Sequence, residues 1–247
     1  MAAGRRTDRD ERRRRLGQNF LLPDRASSYV ASLVIGPGDL VVEIGAGAGA
    51  VTLELVRTRA EVLAVEVDPV WAEQVRNRTR SVRERVRVVC GDFLETRLPA
   101  RPFRVVGCVP FSATTSILRK LLDDPESPMQ RADLIVQMEV ARKRASVPPS
   151  TLLSVTWAPW WEVRAGPRID RTAFRPVPRV DAAALAITRR DPPLLPAGMA
   201  PAYARFVRAN WPFQKGPGTQ RLRANVATGR DWRSGGAPPG SVRGVEP

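Results

Sequence analysis

From Asp39 to Thr188 apolar residues gather in short runs of strand length, separated by stretches whose hydrophobic positions recur with helical period. Strands buried on both faces read as near-continuous apolar runs, so this alternation predicts βαβ units and a parallel sheet. Strands are expected at 40–44 (LVVEI), 62–67 (VLAVEV), 86–90 (VRVVC), 103–107 (FRVVG), 134–139 (LIVQME), 152–163 (LLSVTWAPWWEV) and 183–188 (AALAIT). Ahead of them, Asp24 is placed to cap a helix running to about Ile35, with Val30, Leu33 and Val34 on one face. The expected fold class is α/β and Rossmann-like, a mostly parallel seven-stranded sheet with helices on both faces.

After Arg190 the pattern thins. DPPLLPAG reads as a linker and AYARFVRAN as one helix, while from Gly229 onward the composition buries too little to fold. The expected organisation is a basic flexible arm over 1–15, the Rossmann-like domain over 16–190, a short helical C-terminal segment over 191–228 and a disordered tail over 229–247. No apolar run approaches the ~20 residues that a bilayer demands. The N-terminal charges are followed by no apolar stretch of the secretory type, so the protein is expected to stay in the cytoplasm.

Charge narrows the class of partner. The 247 residues carry 40 Lys and Arg against 25 Asp and Glu, a net charge of +15. Only Lys120, Lys143 and Lys215 are lysines, and arginine grips phosphate in a fork that lysine cannot form. Nucleic acid is the favoured partner over a membrane surface, because no basic amphipathic helix stands out. The absence of histidine excludes every imidazole mechanism. Cys90 and Cys108 are too few for a disulfide framework or a zinc site, which points to a reducing cytosol and no metal.

VVEIGAGAGAVTLEL reads as strand, glycine-rich turn and helix, with Gly45, Gly47 and Ala50 in a G-x-G-x-x-A pattern. Small residues there let the backbone approach a ligand while the helix N-terminus offers free N–H groups; tight packing is the bland alternative. Glu66, at the end of the next strand, is placed to accept both hydroxyls of a ribose. Glu43 would repel a pyrophosphate but suits the cationic amino acid of S-adenosylmethionine. Asp92, in CGDFLE, is placed to take an adenine amino group with Phe93 packing on the ring, and it equally suits a helix N-cap. Three carboxylates at successive strand ends favour the sulfonium cofactor over NAD.

The fourth strand ends in Cys108-Val109-Pro110-Phe111, at the same carboxyl edge. With this turn the chain resembles the adenine-N6 methyltransferases of ribosomal RNA, and among them the erythromycin-resistance (Erm-type) enzymes. The resemblance covers about residues 16–190 and rests on LGQNFLLPD (16–24), VVEIGAGAGAVT (41–52), VEVDP (65–69), GDFLE (91–95), CVPF (108–111), VQMEVARKRA (136–145) and FRPVPRVDAA (174–183). It implies a class I methyltransferase that uses S-adenosyl-L-methionine, acts as a monomer, and methylates N6 of an unpaired adenine in 23S rRNA where macrolide, lincosamide and streptogramin B drugs bind. A small-subunit rRNA dimethylase and a non-catalytic RNA-binding relative are the rival readings.

By the same resemblance, Val109 supplies a backbone carbonyl to the adenine amine, Pro110 stiffens the turn, and Phe111 stacks on the splayed-out base, with Phe174 on its other side. Gln18, Asn19 and the backbone near Leu21 close over the methionine end of the cofactor. Cys108 departs from the asparagine usual at its position, since a thiol is a much weaker acceptor than an amide oxygen. It is a tolerated replacement, a brake on catalysis, or a methyl-accepting nucleophile; the first is favoured because no neighbouring base is evident.

Around this turn, Arg119 and Lys120 and then Arg142, Lys143 and Arg144 are candidate phosphate contacts, and Arg12, Arg13, Arg14 and Arg15 form the end of an electrostatic arm. Trp157, Trp160 and Trp161 read as packing rather than base-stacking groups.

Overall fold

The computed structural model describes residues 19–211. Gln18, Arg12 to Arg15, the basic arm, residues 212–228 of the C-terminal segment and the expected tail therefore lie outside the described residues. In chain order the elements are β1 (Phe20–Leu21), α1 (Pro23–Ala31), β2 (Leu40–Ile44), α2 (Ala50–Arg57), β3 (Glu61–Glu66), α3 (Pro69–Arg78), β4 (Val86–Cys90), β5 (Phe103–Cys108), α4 (Thr114–Leu122), β6 (Met129–Gln137), α5 (Met138–Arg144), α6 (Leu152–Trp157), β7 (Trp161–Ile169), β8 (Phe174–Arg175), β9 (Ala182–Arg189) and α7 (Ala200–Asn210).

Seven strands form one sheet in the order β4-β3-β2-β5-β6-β9-β7. Strands β4 to β6 in that order are parallel, and β9 pairs antiparallel with both β6 and β7. The strands send alternate residues to opposite faces, which splits the core into two layers. Val42 and Val105 pack with α4, Trp157 and Trp161 on one face, whereas Val41 and Val106 pack with α1 and α2 on the other. The expected α/β architecture with helices on both faces is what the chain adopts. Chain order reverses between β3-β2 and β5, so a crevice opens where β2 and β5 end, the place at which open α/β sheets bind ligands.

Three expectations change. The run 152–163 is not one strand: Leu152–Trp157 is helix α6, and β7 begins only at Trp161. Thr151 caps that helix by accepting the Ser154 amide at 3.1 Å, and Pro159 prevents its continuation. Strand β6 starts at Met129 rather than Leu134, because the polar residues that hid its beginning are paired. Asp133, buried in mid-strand, takes Arg131 in a bidentate grip at 2.8 Å and Arg104 at 3.4 Å. Finally, Asp24 does not cap α1; Leu22 holds the cap position without a side-chain bond, Pro23 opens the helix, and the helix ends at Ala31.

Beyond these, β6 ends at Gln137, and Met138 and Glu139, expected as the end of that strand, open helix α5. The tryptophans pack inside: Trp157, Trp160 and Trp161 are buried, and their indole N–H groups donate to Asp123, Leu195 O and Leu122 O. Helix α7 lies against α6, with Tyr203 edge-on to Trp160.

A two-strand pair lies outside the main sheet. Phe20 pairs with Arg175 and Leu21 with Phe174, antiparallel, and the Leu22 amide donates to Ala173 O at 2.9 Å. This clasp fixes the segment before α1 to the segment before β9.

Gly107 of β5 lies opposite Ile44 of β2, and a Cβ at Gly107 would fall 2.5 Å from the Ile44 carbonyl oxygen. Gly107→Ala is expected to destabilise the protein by about 2 kcal/mol or more in urea unfolding, as overpacking against backbone cannot be relieved by a rotamer change. Gly36→Ala, with nothing within 4 Å of the added atom, is the control and is expected to change stability by less than about 0.5 kcal/mol.

Candidate active site

At the carboxyl ends of β2, β3 and β5 the chain makes three turns that face one cavity of about 80 Å³, lined among others by Asn19, Glu43, Gly47, Glu66, Val109 and Phe111. The glycine-rich turn is built as its sequence requires. The Gly45 and Ala46 amides donate to Val65 O at 2.9 and 3.2 Å, and Gly47 has φ +51°, a conformation rare for residues with a Cβ. Gly47 has a second reason to lack a side chain. A Cβ there would meet the Phe20 ring at 2.6 Å, and that ring leans edge-on against Trp71 with centroids 4.9 Å apart. Phe20 thus closes the cavity from the N-terminal side.

Two carboxylates furnish the floor. Glu66 is buried, with Oε2 accepting the Gly47 amide at 2.7 Å and Oε1 the Asp68 amide at 2.9 Å; burial raises its pKa and these two bonds oppose the rise. Glu43 is 1% exposed. Its Oε2 has no hydrogen-bond partner among the described residues. Burial pushes its carboxyl up to about 7, with the dipoles of Thr52 at the start of α2 opposing and the charge of Glu66 adding. A buried carboxylate with an orphan oxygen at a cavity wall is a site prepared for a donor or a cation.

The Cys-Val-Pro-Phe turn forms the opposite wall. The Ala113 amide and Thr114 hydroxyl donate to Pro110 O at 3.0 and 3.3 Å, and the same hydroxyl lies 3.2 Å from Phe111 O. The Val109 amide donates to Ile135 O at 3.2 Å, but its carbonyl takes no hydrogen bond from the described residues. The Cys108 thiol is oriented to donate to Asn19 O at 3.8 Å, and burial pushes its pKa up to about 12. Phe111 is half-buried on the cavity wall.

The structure brings together Asn19, Leu21, Glu43, Gly45, Gly47, Glu66, Cys108, Val109, Pro110 and Phe111, all of which line this cavity. Asp92 and Phe93 do not line it. Asp92 is exposed, and its Oδ1 accepts the Leu94 amide at 2.8 Å in a turn that no helix follows, so it is neither a lining residue nor the helix N-cap expected of it. Phe93 is buried in the core with Lys120 Nζ 5.6 Å above its ring, too enclosed to pack on a ligand in this conformation. Phe174 is likewise fully buried, because its pairing with Leu21 turns it inward; it presents no face to a base here.

Of the expected phosphate contacts, Arg119, Arg142 and Lys143 are exposed, whereas Lys120 donates to Leu94 O and Arg144 to Thr151 Oγ1, both at 2.8 Å. Sequence reasoning missed Phe20 and Thr52. The signal for Phe20 was an aromatic between two expected cofactor contacts; for Thr52 there was none beyond its place one turn into α2. Among the described residues no helix is long and apolar enough to cross a membrane, and no group of three metal-ligating side chains occurs.

Residues 9–217 match the family described as ribosomal RNA adenine dimethylase. An rRNA adenine N-6-methyltransferase of Corynebacterium diphtheriae is 41% identical over 191 residues, spanning 77% of this chain and 74% of that protein. The mycinamicin-resistance protein MyrB of Micromonospora griseorubida is 41% identical over 197 residues; the match spans 79% of this chain but only 62% of MyrB. The crystal structure of the 23S rRNA methyltransferase ErmE superposes with a TM-score of 0.70 at 30% identity, covering 81% of each chain. With the glycine turn, the strand-end carboxylates and the Cys-Val-Pro-Phe turn assembled at one sheet edge, and the family match running through all of them, this chain belongs to the ribosomal RNA adenine dimethylase family.

Proposed function

We propose that this protein transfers a methyl group from S-adenosyl-L-methionine to N6 of an unpaired adenine in 23S rRNA, in the peptidyl-transferase loop, and so confers resistance to macrolide, lincosamide and streptogramin B antibiotics. The observation that carries the reading is the Val109 carbonyl, unoccupied by any hydrogen bond from the described residues, on the wall of the cavity that holds Glu43. The 23S assignment draws on the likeness to ErmE, and the resistance on the likeness to MyrB.

The residues fit a sulfonium cofactor. Glu43 offers an unpaired carboxylate oxygen to its cationic amino acid, and Glu66 offers remaining lone pairs to the ribose hydroxyls. Gly47 leaves room for close backbone approach once the Phe20 ring moves aside. When bound, the cofactor supplies an electrophilic methyl group.

The chain's own part is positioning. An adenine amino group is a weak nucleophile whose lone pair is spread into the ring, so it must be held in line and its protons accepted, without a strong base. Val109 O is the acceptor, and Phe111 provides the stacking face that keeps the base out of its helix. Cys108 fits the role of a tolerated replacement. Its thiol is spent as a donor to Asn19 O, and a pKa of about 12 leaves it protonated at neutral pH, which argues against a nucleophilic thiolate.

Mass spectrometry of 23S rRNA from a drug-sensitive bacterium expressing this chain tests the assignment. N6-methyladenine in the peptidyl-transferase loop is expected, and modification confined to small-subunit rRNA, or none, overturns it. Phe111→Ala is expected to lower kcat/KM about 10- to 100-fold, the weight of one base–aromatic stack. Cys108→Ala is expected to stay within about threefold of wild type, as one weak, neutral contact is lost.

Glu43 gives a pH signature with two opposite signs. Because its pKa is raised on folding, the stability it contributes is full below the ordinary carboxyl pKa and is lost as pH rises through about 7. A cationic ligand favours the ionised form, so S-adenosylmethionine affinity is expected to rise with pH through about 7 and level off above it. Calorimetry across that range, with Glu43→Gln flattening both trends, checks the pair.

A further inference from the structure

Another cavity, a basic one, lies at the opposite end of the sheet. It measures about 580 Å³ and opens where β5 and β6 begin and β9 ends, with Arg104, Arg131, Arg189 and Arg190 in its lining. The lining contains one carboxylate, Asp191. Several surface arginines are matched with acids, as in Arg57–Glu54, Arg76–Glu73, Arg101–Glu61 and Arg164–Glu162. Here two of the four have no ion-pair partner within 4.0 Å among the described residues.

Arg189 is fixed rather than free. Its guanidinium donates to Met129 O, Pro125 O and Ser127 O and lies over the Trp161 ring, 4.6 Å from its centroid. All these partners are neutral, so the hydrogen bonds hold the group in place without cancelling its charge; Asp124 acts on it only from beyond ion-pair distance. Arg190 spends Nε on Ala158 O at 2.8 Å and keeps both terminal nitrogens. Arg131 spends Nε and Nη2 on Asp133 and keeps Nη1. Arg104 is turned inward to Leu33 O, Val34 O and Asp133, with Asp39 at 3.8 Å, so carboxylates offset its charge and it offers the cavity no donors. The cavity therefore presents preorganised positive charge that Asp133 and Asp191 offset only in part, with guanidinium nitrogens of Arg131 and Arg190 that no described residue takes, the chemistry that receives phosphate oxygens.

We propose that this cavity binds backbone phosphates of the same rRNA at a segment remote from the target adenine, with Arg131 and Arg190 as the contacting residues and Arg189 as a fixed charge behind them. The proposal rests on the function proposed above for its choice of polyanion. Strand β9 runs from the catalytic edge to this cavity, eight residues or about 25 Å. A hairpin with a stem of only a few base pairs does not span that distance, whereas a folded rRNA domain does. The site would thus favour large RNA over minimal substrates.

The test is RNA affinity against salt for the full chain, using a short hairpin carrying the target adenine and a long 23S fragment. The double variant Arg131→Gln, Arg190→Gln is expected to bind the long fragment about 10-fold more weakly at low salt and to lower its salt slope by one to two, the weight of one or two phosphate contacts. Hairpin binding and hairpin methylation are expected to stay as in wild type, and Arg190→Lys, which keeps the charge, to keep most of the slope. A merely structural role would weaken both RNAs alike and overturns the proposal, as does an unchanged slope in a variant with wild-type thermal stability. Thermal shift with inorganic phosphate is the companion measurement; phosphate binding lost while the long-fragment slope is kept marks a small-anion site and also overturns it. Wild-type methylation of the hairpin reports separately on the proposed function, so the two readings fail independently.

Discussion

The close approach of β2 and β5 governs the rest of the molecule. Ile44 and Gly107 face each other in parallel register, with no space for a side chain on the glycine. The two strands therefore finish side by side, and the turns that follow are forced into contact: a Cβ on Gly45 would stand 3.5 Å from Cys108 O. One wall of the cavity is the glycine turn and the other the Cys-Val-Pro-Phe turn, and this backbone contact sets how far apart they stand. A side chain wedged between these strands would move the walls apart before it touched any residue of the chemistry.

Burying Glu43 and Glu66 at this edge works against the fold that holds them. Each is desolvated, and each has its pKa raised for that reason. Glu66 recovers part of the loss from two backbone amides, while Glu43 keeps an oxygen without a partner. Such unrelieved polarity persists where a ligand completes it. The third carboxylate in the sequence, Asp92, satisfies itself within its own turn and stays at the surface.

How far the sequence disclosed this is decided by which signals are local. Strands β2 and β4 read correctly to the residue because their apolar runs are bounded by turn residues, and the glycine turn announced itself by spacing. The run 152–163 misled because an unbroken apolar stretch has no period; Thr151 and Pro159 were the deciding marks. The start of β6 was hidden by Asp133, whose burial depends on arginines from two strands. Phe174 looked available to a base, and only its pairing with Leu21 shows that it points inward. Nothing in the local pattern of Phe20 announces that its ring rests on Gly47. Long-range pairing, rather than chemistry, is what a single sequence withholds.

The clasp between Phe20–Leu21 and Phe174–Arg175 joins the two ends of the catalytic domain in sequence. During synthesis the N-terminal partner must wait until nearly the whole sheet has emerged, and such distant contacts form late because closing the intervening loop is entropically costly. Leu21 and the Phe20 ring that closes the cavity both belong to this clasp. A nascent or truncated chain lacking β8 would hold its glycine turn and its carboxylates but not the cover above them. Closure of the cavity is thereby tied to synthesis of the chain through Arg175.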